Sequence, residues 1–123
     1  QKQLGEVLGS RATVVLGEHR LEPDIVFIGK ENPGKFTEME FAGVPDAVIE
    51  IVSKTTREYD LKTKREIYRR HGVKEIYFVD YLNNTLIVDV LEGNSYRTHT
   101  LKKGAFDSRI LPGFSIPVFT APR

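Results

Sequence analysis

The sequence contains no cysteine, no tryptophan and no long hydrophobic run. Without cysteine the chain can form neither a disulfide framework nor a thiolate metal site, and we expect it in a reducing cytoplasm. No apolar stretch approaches the ~20 residues of a membrane-spanning helix, so no membrane partner is expected. The formal net charge is only +1, and composition alone therefore does not indicate a nucleic-acid-binding protein.

What is present is typical of a small globular domain. The 123 residues suffice for one hydrophobic core, and the hydrophobic and charged fractions of 40% and 28% are ordinary. The chain opens at Gln1 without an initiating Met. We therefore expect a single domain over residues 1–123 that lacks part of its N-terminal region.

Hydrophobic periodicity predicts the elements of the N-terminal half. Gln1–Leu8 has apolar residues at helical spacing and is predicted to be the tail of an amphipathic helix. Thr13–Leu16 and Asp24–Ile28 are predicted strands, separated by a polar turn over Gly17–Glu22. Lys30–Val44 is polar and contains the turn signal Asn-Pro-Gly, so we predict a mobile loop there.

The second half begins with the most strand-like segment of the chain. Ala47–Val52 is apolar on both faces except for Glu50, as in a strand that is covered on both sides. A helix is predicted from about Thr56 to His71, ended by Gly72. Its candidate capping residues are Ser53, Thr55 and Thr56.

Further β-prone segments follow the helix. They are Glu75–Val79, a hairpin of Thr85–Leu91 with Tyr96–Leu101, and a proline-containing edge segment over Ile110–Phe119. Strands, one long helix and a hairpin together predict a mixed α/β sandwich with one sheet.

Glu50 is the residue that fits its segment least. A carboxylate in a buried strand is costly unless a cation or hydrogen-bond donors meet it. Two interpretations compete: a salt bridge to an arginine, such as Arg57 or Arg65, or a metal ligand. Asp46 lies on the same face of the strand but about 13 Å away, so a turn or capping role is expected for it.

Asp24 is the better candidate for a partner of Glu50. It begins its own apolar strand, and neighbouring strands ~4.8 Å apart would bring the two carboxylates to one shared metal ion. Magnesium commonly takes one or two carboxylates and leaves positions for water and phosphate. The competing interpretation of Asp24 is a turn residue after Pro23.

Lys64 contradicts the pattern of its helix. At 100° per residue it falls near the middle of the apolar face that Leu61, Ile67 and Tyr68 define. Such contradictions often mark function. The alternatives are an aliphatic stem that carries its ammonium to solvent, or an i, i+4 ion pair with Asp60.

Two carboxylates and a lysine around one cation form a site suited to phosphodiester cleavage. The metal would activate water and offset phosphate charge, and the ammonium would orient the nucleophile or stabilise the developing charge. No Ser/His/Asp constellation competes, because the three histidines lie far apart in the sequence. No glycine-rich phosphate loop is present either.

Three segments resemble a known family. They are VPDAVIEIVSKTTREYDLKTKREIYRRHGVKEIYFVD, the upstream EPDIVFI and the closing LPGFSIPVF. Together they resemble the Uma-type bacterial family, described as putative restriction endonucleases, within the PD-(D/E)xK nuclease superfamily. The resemblance runs from about Arg20 to Phe119.

The resemblance implies a restriction-endonuclease-like α/β core: a central mixed β-sheet flanked by helices, with a C-terminal β-hairpin. It implies Mg²⁺, with Mn²⁺ as a substitute, held by Asp24 as the first acidic residue and Glu50 as the (D/E) of the motif. The lysine of the motif would stand at position 52, where this chain has Val52. Lys64 on the following helix is the position that fits instead, and Glu6 is a candidate for an additional acidic residue.

The function hypotheses follow from this site. The first is a Mg²⁺-dependent DNA endonuclease, whose phosphate contacts would come from basic residues beside the helix, namely Lys54, Arg57, Lys62 and Arg65. For at least half of the basic residues in this region a solvated helix face is the competing interpretation. The second is a catalytically inactive nuclease-fold protein that binds DNA or a protein. The third is a plain oligomerisation module built on the Thr85–Leu101 hairpin, whose apolar strands would pair in a homodimer; it can coexist with the first.

Overall fold

The computed structural model describes residues 5–8, 13–37 and 40–120, with the backbone alone for 5–8. The strands are β1 (Gly5–Leu8), β2 (Thr13–Leu16), β3 (His19–Leu21), β4 (Ile25–Gly29), β5 (Lys35–Phe36), β6 (Glu40–Ala42), β7 (Ala47–Ile51), β8 (Glu75–Asp80), β9 (Thr85–Glu92), β10 (Ser95–Leu101), β11 (Ala105–Asp107) and β12 (Ser115–Pro117). The helical elements are a π-helical segment (Tyr59–Lys64), the α-helix α1 (Arg65–Arg70) and a 3₁₀ turn (Tyr81–Asn83). Over these ranges no helix has the length and apolar character needed to cross a membrane.

The central sheet is mixed, as predicted. It has six strands in the order β1-β4-β7-β8-β9-β10, in which β7 and β8 are parallel and the other neighbouring pairs are antiparallel. Parallel neighbours need a crossover connection, and the helical segments supply it between β7 and β8. The prediction of one sheet is wrong, because β3-β2-β6-β5 and β11-β12 form two further sheets.

The two faces of the central sheet are covered differently. Side chains alternate along each strand, so one face packs against the helix and the other against the C-terminal strands. The helix-side core includes Val26, Val48, Ile76, Phe78, Ile67 and Tyr68. The opposite core includes Tyr77, Val79, Val88, Phe106 and Ile116. Polar side chains on the helix-side face of the sheet therefore lie beneath the helix.

The helix predicted over Gln1–Leu8 is wrong for its second half. Gly5–Leu8 is a strand at the edge of the central sheet and pairs antiparallel with β4. So short a segment fits helical and extended spacing equally well, and pairing with a neighbouring strand decides between them. Residues 1–4 lie outside the described residues.

The mobile loop predicted over Lys30–Val44 is also wrong in part. This segment contains β5 and β6, and β6 pairs in parallel with β2. Its buried Phe41 belongs to the helix-side core, which ties the segment to the body of the protein. A single buried aromatic residue among polar neighbours carries too little periodicity for prediction. The polar turn predicted over Gly17–Glu22 likewise contains β3.

The predicted helix between β7 and β8 is confirmed. The backbone is helical from residue 57 to residue 70. Ser53 and Thr56, two of the predicted capping residues, exchange backbone-to-hydroxyl hydrogen bonds of 3.3 and 3.1 Å just before it. Gly72 ends the helix with a left-handed φ of 81°. The π-helical segment inside it was not predicted.

The predicted C-terminal hairpin is present as β9 and β10, and β10 forms an edge of the central sheet. The last predicted segment contains β12, which pairs with β11. The connection between these two strands is held by a buried carboxylate. Glu75, which is 0% exposed, accepts hydrogen bonds from the Tyr77 hydroxyl (2.8 Å), the Ser108 hydroxyl (2.7 Å) and the Arg109 backbone N–H (2.6 Å).

Glu75→Ala should therefore destabilise the protein strongly. It leaves three donors without their acceptor in a buried setting, and we expect a loss of about 3–5 kcal/mol in the free energy of unfolding. Denaturant unfolding measures this. Glu75→Gln, which keeps one oxygen acceptor, should lose less, and Asp107→Ala on the exposed side of β11 should change little. A loss for Glu75→Ala no larger than that for Asp107→Ala would contradict the anchoring role.

Candidate active site

Asp24 and Glu50 lie on neighbouring strands, as predicted. In the antiparallel pairing of β4 with β7, Ile25 stands opposite Ile49. The next pair outward is Asp24 and Glu50, at strand spacing of ~4.8 Å. Both positions belong to the helix-side face of the sheet, since Val26 and Val48, two residues along each strand, are buried in the helix-side core.

The carboxylate of Asp24 is fixed by the backbone of β7. Its Oδ2 accepts a hydrogen bond from the Ile51 N–H at 2.6 Å. Asp24 therefore ties the entrance of β4 to β7, and its Oδ1 accepts no hydrogen bond from the described residues.

Glu50 is 2% exposed and is met by a cation and a hydroxyl. The Tyr68 hydroxyl donates to its Oε2 at 2.6 Å, and the Lys64 ammonium donates to its Oε1 at 3.2 Å. The predicted alternative, a salt bridge to arginine, is wrong, because Arg57 pairs with Asp80 and Arg65 with Asp89. Burial raises the pKa of Glu50 to about 7, although the hydroxyl and the ammonium both act to lower it.

Lys64 points inward, as its place on the helical wheel predicted. Its side chain is 14% exposed, and its Nζ lies 3.2 Å from Glu50 Oε1 and 3.5 Å from Asp60 Oδ1. The ion pair with Asp60, one of the alternatives, is therefore present together with the contact to Glu50. Burial opposes the charged ammonium, but the two carboxylates outweigh it and raise the pKa of Lys64.

Tyr68 was missed in the sequence as a residue of this site, and Asp60 was expected only as an alternative ion-pair partner of Lys64. Asp60 is buried and accepts a hydrogen bond of 2.8 Å from the Thr56 hydroxyl, and Tyr68 is fully buried against Glu50. Both stand four residues from Lys64, so they lie on its face of the helix. That spacing was the available signal, but Tyr68 was counted only as an apolar residue. The π-helical segment that carries Asp60 and Lys64 is of a kind often found at functional sites.

Two other acidic candidates lie away from this cluster. Asp46 Oδ2 accepts hydrogen bonds from the Gly29 N–H (2.6 Å) and the Asn32 amide (3.0 Å), as expected of a turn residue. Glu6 stands opposite Ile28 in the pairing of β1 with β4. That register places it four residues, or about 13 Å, along the strand from Asp24. The side chain of Glu6 lies outside the described residues.

The four predicted DNA-contacting residues differ in their environment. Arg57, Lys62 and Arg65 form ion pairs with Asp80, Glu58 and Asp89, respectively. Lys54 is exposed in the turn before the helix, and no described residue forms an ion pair with it. The free positive charge beside the helix is therefore smaller than the sequence suggests.

The donor set suits a hard divalent cation. Asp24 and Glu50 offer carboxylate oxygens on adjacent strands, which is the ligand type and number that protein-bound Mg²⁺ commonly uses. Within the described ranges no group of three or more acidic or histidine side chains could hold a metal ion. Among the described residues, Asp24 and Glu50 are therefore the two carboxylates that could hold an ion here.

The fold and this constellation define a nuclease-like α/β domain. Residues 1–119 match the model of the Uma2 family, whose description is putative restriction endonuclease, and the chain belongs to that family. This finding agrees with the resemblance seen in the sequence. No curated protein matches the chain.

A solved structure supports the same fold. It is the crystal structure of a protein described as a putative nuclease belonging to DUF820, from Anabaena variabilis ATCC 29413. The TM-score is 0.73 at 15% sequence identity, over 94% of this chain and 66% of that one. This chain therefore spans slightly less than two thirds of the length of the Anabaena protein, and at such identity the likeness concerns the fold.

The raised pKa of Glu50 predicts how stability depends on pH. The folded protein holds its Glu50 proton up to about pH 7, whereas the unfolded chain releases it near the ordinary glutamate pKa of 4.5. The unfolded state therefore binds fewer protons between these values, and the free energy of unfolding falls as the pH rises through this window. Relative to Glu50→Gln, the wild type should lose roughly 2–3 kcal/mol between pH 5 and pH 8.

Denaturant unfolding at several pH values in the absence of divalent ions measures this difference. Glu92→Gln, at an exposed position at the end of β9, controls for the general effect of removing a carboxylate. The prediction is wrong if the wild-type and Glu50→Gln curves stay parallel over the whole range.

Proposed function

We propose that this protein is a metal-dependent endonuclease that hydrolyses DNA phosphodiester bonds. In this proposal Asp24 and Glu50 hold Mg²⁺, with Mn²⁺ as a substitute, and Lys64 is the electrostatic catalyst. One observation supports the proposal most directly: a buried strand glutamate stands opposite a second carboxylate and contacts a partly buried lysine at 3.2 Å. Buried charges with strongly shifted pKa values are common at functional sites.

The chain's own residues have distinct parts in this mechanism. A bound divalent ion would supply the Lewis acid that activates water and offsets the charge of the phosphate. Tyr68 holds Glu50 in one orientation, so that the carboxylate is presented to the ion without rotating. The Lys64 ammonium, steadied by Asp60, is placed to stabilise negative charge that develops on the phosphate in the transition state.

DNA as the substrate is supported by the family and not by composition. The family description is putative restriction endonuclease, and the Anabaena protein is described as a putative nuclease. The formal net charge of +1 provides little general attraction to nucleic acid. Binding would therefore depend on local groups near the site.

Cleavage of supercoiled plasmid with Mg²⁺ or Mn²⁺ tests the proposal. Glu50→Gln and Lys64→Met should each reduce the rate by at least about 100-fold, because each removes a group that acts on the reacting phosphate. Lys103→Met, in the exposed turn after β10, removes the same charge elsewhere and should retain wild-type activity. Cutting by Glu50→Gln at the wild-type rate would refute the assignment, provided that the variant is folded.

Metal binding can be measured without any substrate. Calorimetric titration of the wild type with Mn²⁺ should show one site, and Asp24→Asn should weaken the affinity by about tenfold or more, because it replaces a charged oxygen ligand with a neutral one. Asp107→Asn, at an exposed position on β11, is the matched control and should bind as the wild type does. A wild type that binds no Mn²⁺ would favour the alternative, an inactive nuclease-fold protein.

A further inference from the structure

A second charged cluster lies on the flank of the helix that faces β9 and β10. Asp89 on β9 is 0% exposed, and Arg65 contacts it with two hydrogen bonds, of 2.6 and 2.8 Å. Arg69, one helical turn further on, donates to the same carboxylate at 3.0 Å. Thr98 on β10 also donates to it, at 2.7 Å, and accepts from both guanidinium groups at 3.2 and 3.0 Å.

The buried carboxylate of Asp89 does not need the second arginine, Arg69, to neutralise its charge. A bidentate arginine and the Thr98 hydroxyl already satisfy Asp89 and neutralise its charge. Adding Arg69 leaves the cluster with two cations for one anion, a net charge of +1. Carrying an extra charge into a partly buried place costs desolvation. Stabilising Asp89 therefore does not by itself explain Arg69.

The two guanidinium groups are held rigidly but remain accessible. Their side chains are 24% and 34% exposed, for Arg65 and Arg69 respectively. Arg65 lies over the ring of Phe78 at 5.8 Å, and Arg69 over the ring of Tyr96 at 5.1 Å. The hydrogen bonds to described residues use the Nε and Nη2 atoms of both arginines, and none uses Nη1.

The groups open into a recess of about 440 Å³, lined by Leu61, Lys62, Arg65, Glu66 and Arg69. The two other charged residues at its rim are matched within the helix, Lys62 by Glu58 and Glu66 by Arg70. The excess positive charge of the recess is therefore that of the arginine pair. The Nη1 groups, which donate to no described residue, sit on side chains that are already ordered; they suit a phosphate group, and the side chains have little entropy left to lose.

The recess lies within reach of a duplex that occupies the proposed active site. Asp89 stands opposite Ile76 on β8, and Glu50 stands opposite Phe78 on the same strand. The two carboxylate positions are thus two strands and two residues apart, roughly 12 Å. A DNA duplex carries one phosphate charge per ~1.7 Å of its axis, so several phosphates fall within that distance.

We propose that Arg65 and Arg69 form a preorganised site for a backbone phosphate of the DNA, next to the phosphate that is cleaved. The identity of the ligand as DNA rests on the proposed function. The contact positions the duplex without selecting a sequence, since phosphates are the same at every step. Asp89 and Thr98 are positioning residues in this site, because they hold the arginines and do not touch the ligand.

The test is the salt dependence of duplex binding, measured by fluorescence anisotropy with a labelled 20-base-pair DNA in EDTA. Arg69→Gln should weaken binding about 3- to 10-fold in 50 mM salt and reduce the slope of log K against log salt by about one, the value for one lost phosphate contact. Arg69→Lys should keep the slope and bind with intermediate affinity, because it keeps the charge but loses the guanidinium that is held in place by Asp89 and Thr98.

The matched control is Arg97→Gln. Arg97 neighbours Thr98 on β10 but points to the opposite face of the sheet and pairs there with Glu92, so its loss removes the same charge outside the recess. It should leave the slope unchanged. Arg69→Gln retains the bidentate Arg65–Asp89 pair, and thermal melting verifies that it is folded.

Identical salt slopes for the wild type, Arg69→Gln and Arg97→Gln would overturn this inference, and so would a wild type that binds no duplex at all. These outcomes are separate from the fate of the proposed function, because EDTA prevents metal-dependent cleavage. A lower slope for Arg69→Gln in a protein that never cuts plasmid supports the phosphate site and refutes the nuclease. Plasmid cutting with unchanged slopes would support the nuclease and refute the phosphate site.

Discussion

The burial of Glu50 is the constraint on which this site depends. A carboxylate that is 2% exposed on a strand between two apolar neighbours loses its hydration, and its raised pKa of about 7 records that loss. Lys64 and Tyr68 restore part of what water would have provided. Both residues lie on the helix that connects β7 to β8. The connection of this βαβ unit therefore also supplies the groups that stabilise its buried carboxylate.

Buried carboxylates also organise the rest of this small fold, but with different partners. Glu75 is satisfied by two hydroxyls and one backbone N–H, which fix the connection between β11 and β12. Asp89 is satisfied by two arginines and a hydroxyl, and its pKa stays below the ordinary value because these donors outweigh its burial. At Glu50, in contrast to Asp89, burial prevails and the pKa is raised. A carboxylate whose pKa stays raised despite its partners still gains from a further cation, which distinguishes Glu50 as a candidate metal ligand from the structural carboxylate of Asp89.

The central elements and three residues of the candidate site could be predicted from the sequence because their signals are local. The apolar run of β7 isolates Glu50, and the helical wheel turns Lys64 inward. Other features depend on distant partners: β1 is a strand through its pairing with β4, and the loop expected over Lys30–Val44 contains β6 through its pairing with β2. Asp60 was predicted from its i, i+4 spacing as an ion-pair partner of Lys64, whereas the role of Tyr68 follows from a hydrogen bond to Glu50 that no periodicity encodes.

The place of the lysine is a consequence of the way the strand is packed. In the motif that the sequence resembles, the lysine would stand at position 52, but Val52 is 1% exposed and belongs to the helix-side core. A charge at that point would lie within an apolar cluster, where its desolvation is costly. Lys64 approaches the same carboxylate from above, where its stem packs along the helix and its ammonium meets two carboxylates. With the lysine on the helix and not on the strand, the core stays apolar and the ammonium still lies beside Glu50. The site then depends on the π-helical segment, which holds Asp60 and Lys64 over the sheet.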